Sequence, residues 1–208
     1  MTDLKNKWVA ITGASSGFGR AAAVAFGSAG AHLMLGARRM ERLEETARLA
    51  LEAGAASACP FSLDVSSTPS VEEFGNALAQ RTSELQVLIN NAGGALGVDT
   101  LLEGKDEDWE TMLQTNVLGL LRVSRRLIPL MLRVEGALVI NVGSIAGRIP
   151  YEGGSVYCGA KAAELQITKA LRLELCGTPV RVTSLDPGMA ETEFSLVRYK
   201  GDAAKAQE

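Results

Sequence analysis

The chain has 208 residues, 47% of them apolar and 22% charged, with a net charge of −3. That length suits one domain, and the apolar fraction excludes a disordered chain. A mixed, slightly acidic charge lacks the basic stripe of a nucleic-acid binder, no apolar run reaches the ~18 residues of a membrane span, and residues 1–7 lack the apolar core of a signal peptide, so a cytoplasmic protein is expected.

In chain order, Trp8-Val9-Ala10-Ile11 is a short apolar run ahead of a Gly-rich turn and reads as a buried strand. An Ala-rich helix is expected over 20–29, closed by Gly30. Leu33-Met34-Leu35 is strand-like, and 41–51 reads as a helix with a Glu44–Arg48 pair at i,i+4. A short strand over 59–63, a helix over 71–80 and a strand over 85–90 follow. The stretch 108–132 reads as helical and broken near Pro129. A strand over 137–142, a long helix over 156–175, a strand over 180–185 and a polar tail from Lys200 complete the pattern. Strands alternating with helices predict βαβ units and an α/β fold: a Rossmann-type, doubly wound parallel sheet with helices on both faces, in three αβα layers.

Two counts narrow the chemistry. Three cysteines, Cys59, Cys158 and Cys176, are widely spaced and odd in number, which suits neither a disulfide framework nor a CxxC site. The single histidine, His32, stands at the start of an apolar run and reads as a residue of a buried strand, so neither a Ser-His-Asp hydrolase nor a metal site is expected.

The first strand-to-helix turn reads Thr12-Gly13-Ala14-Ser15-Ser16-Gly17-Phe18-Gly19. Glycines there let the backbone turn sharply and approach a pyrophosphate seated on the helix N-terminus. Arg20 after Gly19 excludes a P-loop, which would close on Lys-Ser/Thr. The second strand ends at Gly36-Ala37-Arg38-Arg39, where an NAD enzyme of this architecture has an acidic residue. Two guanidinium forks suit a 2′-phosphate instead, so NADP(H) is the expected cofactor.

Three later strands end in polar residues, Asn90-Asn91-Ala92-Gly93, Asn141-Val142-Gly143-Ser144 and Asp186-Pro187-Gly188, on the edge where doubly wound sheets bind ligands. Tyr157 and Lys161 lie at i,i+4 on the following helix. An ammonium within ~4 Å would lower a tyrosine pKa by up to about three units, which makes Tyr157 a candidate acid/base near neutrality. Ser144 could then hydrogen-bond and orient a substrate oxygen.

With these residues in their order, Thr12-Gly13-x-x-x-Gly17-x-Gly19, Asp64-Val65, Asn90-Asn91-Ala92-Gly93, Asn116, Ser144, Tyr157-x-x-x-Lys161 and Pro187-Gly188, the chain resembles the short-chain dehydrogenase/reductase family over almost its whole length. The resemblance implies a catalytic tetrad of Asn116, Ser144, Tyr157 and Lys161. Tyr157 would exchange the proton, Ser144 would bind the reacting oxygen, and Lys161 would bind the nicotinamide ribose and tune Tyr157. Asn116 would hold a water linking Lys161 to solvent. Cofactor contacts are expected from Gly13, Ser15, Ser16, Gly17, Phe18, Gly19, Arg38 and Arg39. Asp64 and Val65 would meet the adenine, Asn90 or Asn91 the adenosine side, and Pro187, Gly188 and Thr192 the nicotinamide side.

Trp109-Glu110-Thr111-Met112, Gly143-Ser144-Ile145-Ala146-Gly147 and Thr192-Glu193-Phe194-Ser195 are similar to a narrower group, the NADP-dependent dehydrogenases of serine and other β-hydroxy acids. Its substrates carry a carboxylate, which Arg148 or Arg198 could meet. The expected activity is hydride transfer between NADP(H) and a small polar alcohol or carbonyl. The alternatives are a reductase for another carbonyl substrate and a non-catalytic NADP-sensing protein. The resemblance also implies a homodimer or homotetramer. Family members run further than 1–208 by another helix and a last strand, so this single NADP(H)-binding domain is expected to lack part of its lid and sheet edge.

Overall fold

The computed structural model describes residues 3–188, 190 and 193–199. Its strands are β1 (Trp8–Thr12), β2 (His32–Ala37), β3 (Ser57–Ser62), β4 (Val87–Asn90), β5 (Leu138–Val142) and β6 (Arg181–Leu185). They form one parallel sheet in the order β3-β2-β1-β4-β5-β6. The order reverses between β1 and β4, and the crevice at that switch point is where such sheets take ligands.

Parallel strands are covered on both faces and read as continuous apolar runs, while their side chains still alternate between faces. Val9 and Ile11 of β1, Leu33 and Leu35 of β2 and Val87 and Ile89 of β4 enter one core, with Leu43 and Ala47. Ala10, Met34 and Leu88 enter the other, with Phe74, Leu78 and Leu127. The first is covered by α1 (Gly17–Ser28) and α2 (Met40–Glu52), and the second by α3 (Thr68–Ala79) and the helices after β4.

The predicted elements are present, with displaced ends. Helix α3 starts three residues before its expected position because Ser67 accepts a hydrogen bond from the Ser70 N–H and Pro69 suits the first turn. β3 admits Pro60 because it is an edge strand. Arg48 turns to Glu52 at 2.5 Å rather than back to Glu44, so the expected Glu44–Arg48 pair gives way to the next carboxylate along the helix. His32 begins β2, stacks on Trp8 with ring centroids 5.1 Å apart, and shares a 2.8 Å hydrogen bond with Ser57.

The largest departure is in the expected helix over 108–132. It runs as α4 (Asp106–Met112), a π turn (Leu113–Leu118), α5 (Gly119–Leu127) and a 3₁₀ turn (Ile128–Leu130) that carries the predicted break at Pro129. The π turn centres on Asn116, which is fully buried. Its Nδ2 donates to the Met112 carbonyl four residues back, taking over the backbone partner that an α-helix would supply, and also to the Gly94 carbonyl. The remaining helices are α6 (Ser155–Glu174) and α7 (Phe194–Arg198), with a 3₁₀ turn at Ile145–Gly147. Among the described residues no helix is long and apolar enough to cross a membrane, and all three cysteines are free.

Candidate active site

At the β1–α1 turn the site is built by backbone. Gly13 has φ +65°, and a Cβ there would come within 2.8 Å of the Ala92 Cα; a Cβ on Gly19 would collide with the Gly13 carbonyl. Thr12 Oγ1 accepts from the N–H groups of Asn91 and Ala92 at 3.0 Å, and Asn91 Nδ2 donates to the Thr12 and Gly13 carbonyls. These bonds lock the loop after β4 against the glycine turn. Ser16 caps α1 without a side-chain hydrogen bond, and the first turn carries no acidic residue. An anion is therefore the complementary occupant of that N-terminus.

The arginine pair divides. Arg39 Nη2 donates to Ser16 Oγ at 2.8 Å and Ser15 Oγ at 3.3 Å, which puts its guanidinium at the rim of the anion seat. Its Nη1 meets Glu193, whose other oxygen lies 3.4 Å from Arg42. The Arg39 hydrogen bond holds the Glu193 carboxyl below its ordinary value. Arg38 is exposed. Asp64 accepts from the N–H and hydroxyl of Ser66 at 2.9 and 2.6 Å. Burial works to raise its pKa, but those bonds and the charges of Arg38 and Arg122 bring it below the usual value. Val65 is buried against Gly119. The cradle, the uncapped helix end and the basic rim fit a dinucleotide phosphate.

Asn90 is buried and committed to the interior. Its Nδ2 donates to Ser124 Oγ and Asn141 Oδ1, both at 2.9 Å. The Asn91 amide nitrogen holds Thr12 and Gly13, so the side-chain nitrogens of both Asn90 and Asn91, one or other of which was expected to meet the adenosine side, are engaged by protein partners. Pro187 and Gly188 lie beyond β6, where a Cβ on Gly188 would meet open space. Thr192 lies outside the described residues.

At the other end of the crevice the site is built by side chains. Ser144 follows β5 and Tyr157 sits near the start of α6; the Tyr157 hydroxyl hydrogen-bonds Ser144. Lys161 Nζ is 5.9 Å from the Tyr157 ring centroid. A Cβ on Gly93 would lie 2.5 Å from Asn116 Oδ1 and 3.4 Å from Lys161 Nζ, so Asn116 and Lys161 meet around that loop. Asn116 makes its contacts there by clasping Gly94, accepting from its N–H and donating to its carbonyl.

The expected depression of Tyr157 does not arise in this arrangement. Burial raises its pKa above 10.0, and the Glu164 carboxylate adds to that, while the Ser144 hydrogen bond and Arg198 oppose it. Lys161 donates to both oxygens of Glu164, at 2.9 and 3.2 Å, and to the Val142 carbonyl at 3.2 Å. Its charge is answered within the site rather than turned on the phenol.

Of the two arginines considered for a substrate carboxylate, Arg148 is engaged. Its Nε and Nη2 both donate to Asp186 Oδ2, at 2.9 and 2.6 Å. Arg198 on α7 donates from Nε to the Gly97 carbonyl at 2.9 Å, and its Cζ lies 5.2 Å from the Tyr151 ring and 6.0 Å from the Tyr157 ring. Its Nη2 is covered and has no hydrogen-bond partner among the described residues.

The short chain dehydrogenase family profile matches residues 7–201. The chain belongs to that family. It is similar to the NADP-dependent 3-hydroxy acid dehydrogenase of Schizosaccharomyces pombe, 43% identical over 207 residues, or 99% of this chain and 80% of that one. It is also similar to a sulfoacetaldehyde reductase of Chromohalobacter salexigens, 47% identical over 94% of this chain and 77% of the relative. Among solved structures, the closed form of serine dehydrogenase complexed with NADP+ matches with a TM-score of 0.89 and 41% identity, over 96% of this chain and 79% of that one.

In this short-chain dehydrogenase, sequence reasoning passed over two acidic residues of the site. Glu193 was read only as part of the Thr192-Glu193-Phe194-Ser195 segment, with no role of its own. Glu164 had one: Tyr157, Lys161, Glu164 and Thr168 stand at i, i+4, i+7 and i+11, a helical stripe, and all four are buried. A polar stripe at that spacing announces a face turned inward onto other polar groups.

Proposed function

We propose that the chain transfers a hydride between NADP(H) and a small alcohol or carbonyl compound bearing an anionic group, a β-hydroxy acid such as serine fitting best. The oxidoreductase class is that of the family, and NADP(H) is the cofactor of the 3-hydroxy acid dehydrogenase and the serine dehydrogenase described above. The observation that carries the substrate class is Arg198: a covered guanidinium N–H without an acceptor among the described residues, on a side chain facing the Tyr157 ring. An unpaired buried donor costs free energy that an anionic ligand would recover. The names of the relatives agree in this respect, since 3-hydroxy acids, serine and sulfoacetaldehyde all carry a carboxylate or sulfonate.

Bound NADP(H) supplies or takes the hydride. The turn from Gly13 through Ser15, Ser16, Gly17 and Phe18 to Gly19 would seat its pyrophosphate, and Arg39 with Arg38 its 2′-phosphate. Asp64 and Val65 would border the adenine, and Pro187 and Gly188 the nicotinamide. Ser144 Oγ holds the reacting oxygen. In reduction the Tyr157 hydroxyl gives its proton to that oxygen as the alcohol forms; in oxidation the phenolate takes the proton back. Lys161 would meet the ribose by exchanging one of its present partners. Asn116 shapes the π turn behind them. Leu113, Leu118 and Leu121 are exposed on one stretch of chain and support a second copy as partner, in a cytoplasmic homodimer or homotetramer.

Steady-state kinetics on matched β-hydroxy acids and their neutral esters test the substrate class. The acid should be preferred, and Arg198→Met should cost it about ten- to a hundredfold in kcat/KM while sparing the ester. A wild-type preference for the ester overturns the substrate class. NADPH binding without turnover on any of these compounds favours the NADP-sensing reading.

A further inference from the structure

Glu164 is a buried carboxylate, 3% exposed, that the reaction scheme above does not use. It lies three residues beyond Lys161 on α6 and takes the ammonium on both oxygens. Its backbone is tied to a polar line that crosses the sheet. The Glu164 carbonyl accepts from Thr168 Oγ1 at 2.7 Å, Thr168 accepts from Asn141 at 2.8 Å, and Asn141 accepts from Asn90, which also donates to Ser124. This polar line runs from α5 through β4 and β5 to α6, and it ends at the backbone of Glu164, whose carboxylate separately holds the lysine beside Tyr157.

A buried ammonium and carboxylate in contact form a unit with little net charge, so the field at a third group nearby is far weaker than that of the ammonium alone. Removing one partner leaves the other uncompensated. The remaining charges around the pair are few. Asp186, beyond β6, faces Glu164 and is itself held by Arg148. Arg198 of α7 and Cys158 of α6 face Tyr157.

We infer that Glu164 is a positioning residue of the site, whose carboxylate holds and neutralises Lys161 so that Tyr157 stays a proton donor through the neutral range. Carbonyl reduction needs the phenol and alcohol oxidation the phenolate, so Glu164 widens the pH range of reduction and delays oxidation to more alkaline pH. The inference rests on Tyr157 being the acid/base. Burial lifts the Glu164 carboxyl above its ordinary value, with the Lys161 ammonium opposing.

Tyrosinate absorbance titration of the protein without cofactor tests this directly, with Tyr157→Phe subtracted from wild type to isolate the one phenol. Glu164→Gln keeps a hydrogen-bond acceptor for Lys161 and removes the charge. It should move the Tyr157 titration down by about one unit, and the acid limb of kcat/KM for alcohol oxidation should follow. Glu164→Asp, which keeps the charge, should restore the wild-type limb. If Glu164→Gln does not fold, Lys161→Met/Glu164→Met replaces the whole pair with apolar side chains, a change buried pairs often tolerate. Tyr157 should then titrate within a few tenths of a unit of wild type. An unmoved titration in Glu164→Gln, or an upward shift beyond one unit in the double variant, overturns the inference. Turnover that survives in Tyr157→Phe overturns the acid/base reading instead, and the absorbance titration still reports on Glu164.

Discussion

The two ends of the crevice are made of different material. Around Gly13 and Gly19 the shape is set by backbone, with N–H and carbonyl groups locked by Thr12 and Asn91 and no room for a Cβ. The charges there, Arg39, Arg42 and Glu193, sit on a half-exposed rim. Around Tyr157 the shape is set by side chains, and the charges of Lys161 and Glu164 are buried and paired. Screening makes rim charges cheap to rearrange, whereas burial makes each inner charge count in full. Substitutions at the rim should therefore tune affinity, and those inside should change chemistry.

Removing the Tyr157 hydroxyl is the sharpest way to break this comparison. Tyr157→Phe takes away the proposed proton donor and leaves the ring against Phe194. Turnover should fall by roughly 10²- to 10⁴-fold, the usual size of an acid/base contribution, while NADPH affinity by fluorescence titration changes little. A parallel loss of affinity would show that the two ends are not separable.

That division also explains what could be read from the sequence. The glycine turn and the buried strands follow from local rules: a turn needs glycine where φ is positive, and a strand buried on both faces needs an apolar run. Tyr157 and Lys161 were legible through helical spacing. The π turn was not, because its cause lies in Gly94, far back along the chain, whose backbone Asn116 clasps. The titration of Tyr157 was misjudged in sign for a related reason. Counting one neighbouring ammonium left out the desolvation of the phenol and the carboxylate one turn further along, and both require knowing which face of α6 is buried. Arg198 could be named as a candidate but not chosen over Arg148 until Asp186 was seen to occupy the latter.

At the rim the effects should be smaller and confined to binding. Arg39 stands with Ser15 and Ser16 at the anion seat, and Arg38 is exposed beside it. Charge-assisted contacts from both arginines to a 2′-phosphate would favour NADPH over NADH by about thirtyfold. Arg39→Ala should remove most of that preference through weaker NADPH binding, with NADH affinity nearly unchanged. Equal losses for both nucleotides would assign Arg39 to the pyrophosphate rather than the 2′-phosphate.

The smallest effect is expected from Glu193, and its sign is the informative part. Its carboxylate accepts from Arg39 at 2.9 Å and lies 3.4 Å from Arg42, so it occupies the guanidinium that a 2′-phosphate would use. The Arg39 bond keeps the carboxyl below its ordinary value, which leaves it ionised and competing throughout the neutral range. The competition fades only as pH falls through that lowered value. Half-exposed pairs of this kind are worth about 0–1 kcal/mol. Glu193→Gln should therefore tighten NADPH by no more than about fivefold, with the gain shrinking as salt is added. NADH, which has no 2′-phosphate, should show no gain. Tightening of both nucleotides would mean that Glu193 acts by holding α7 over the crevice rather than by contesting Arg39, and the rim would then belong to the same mechanical unit as the catalytic end.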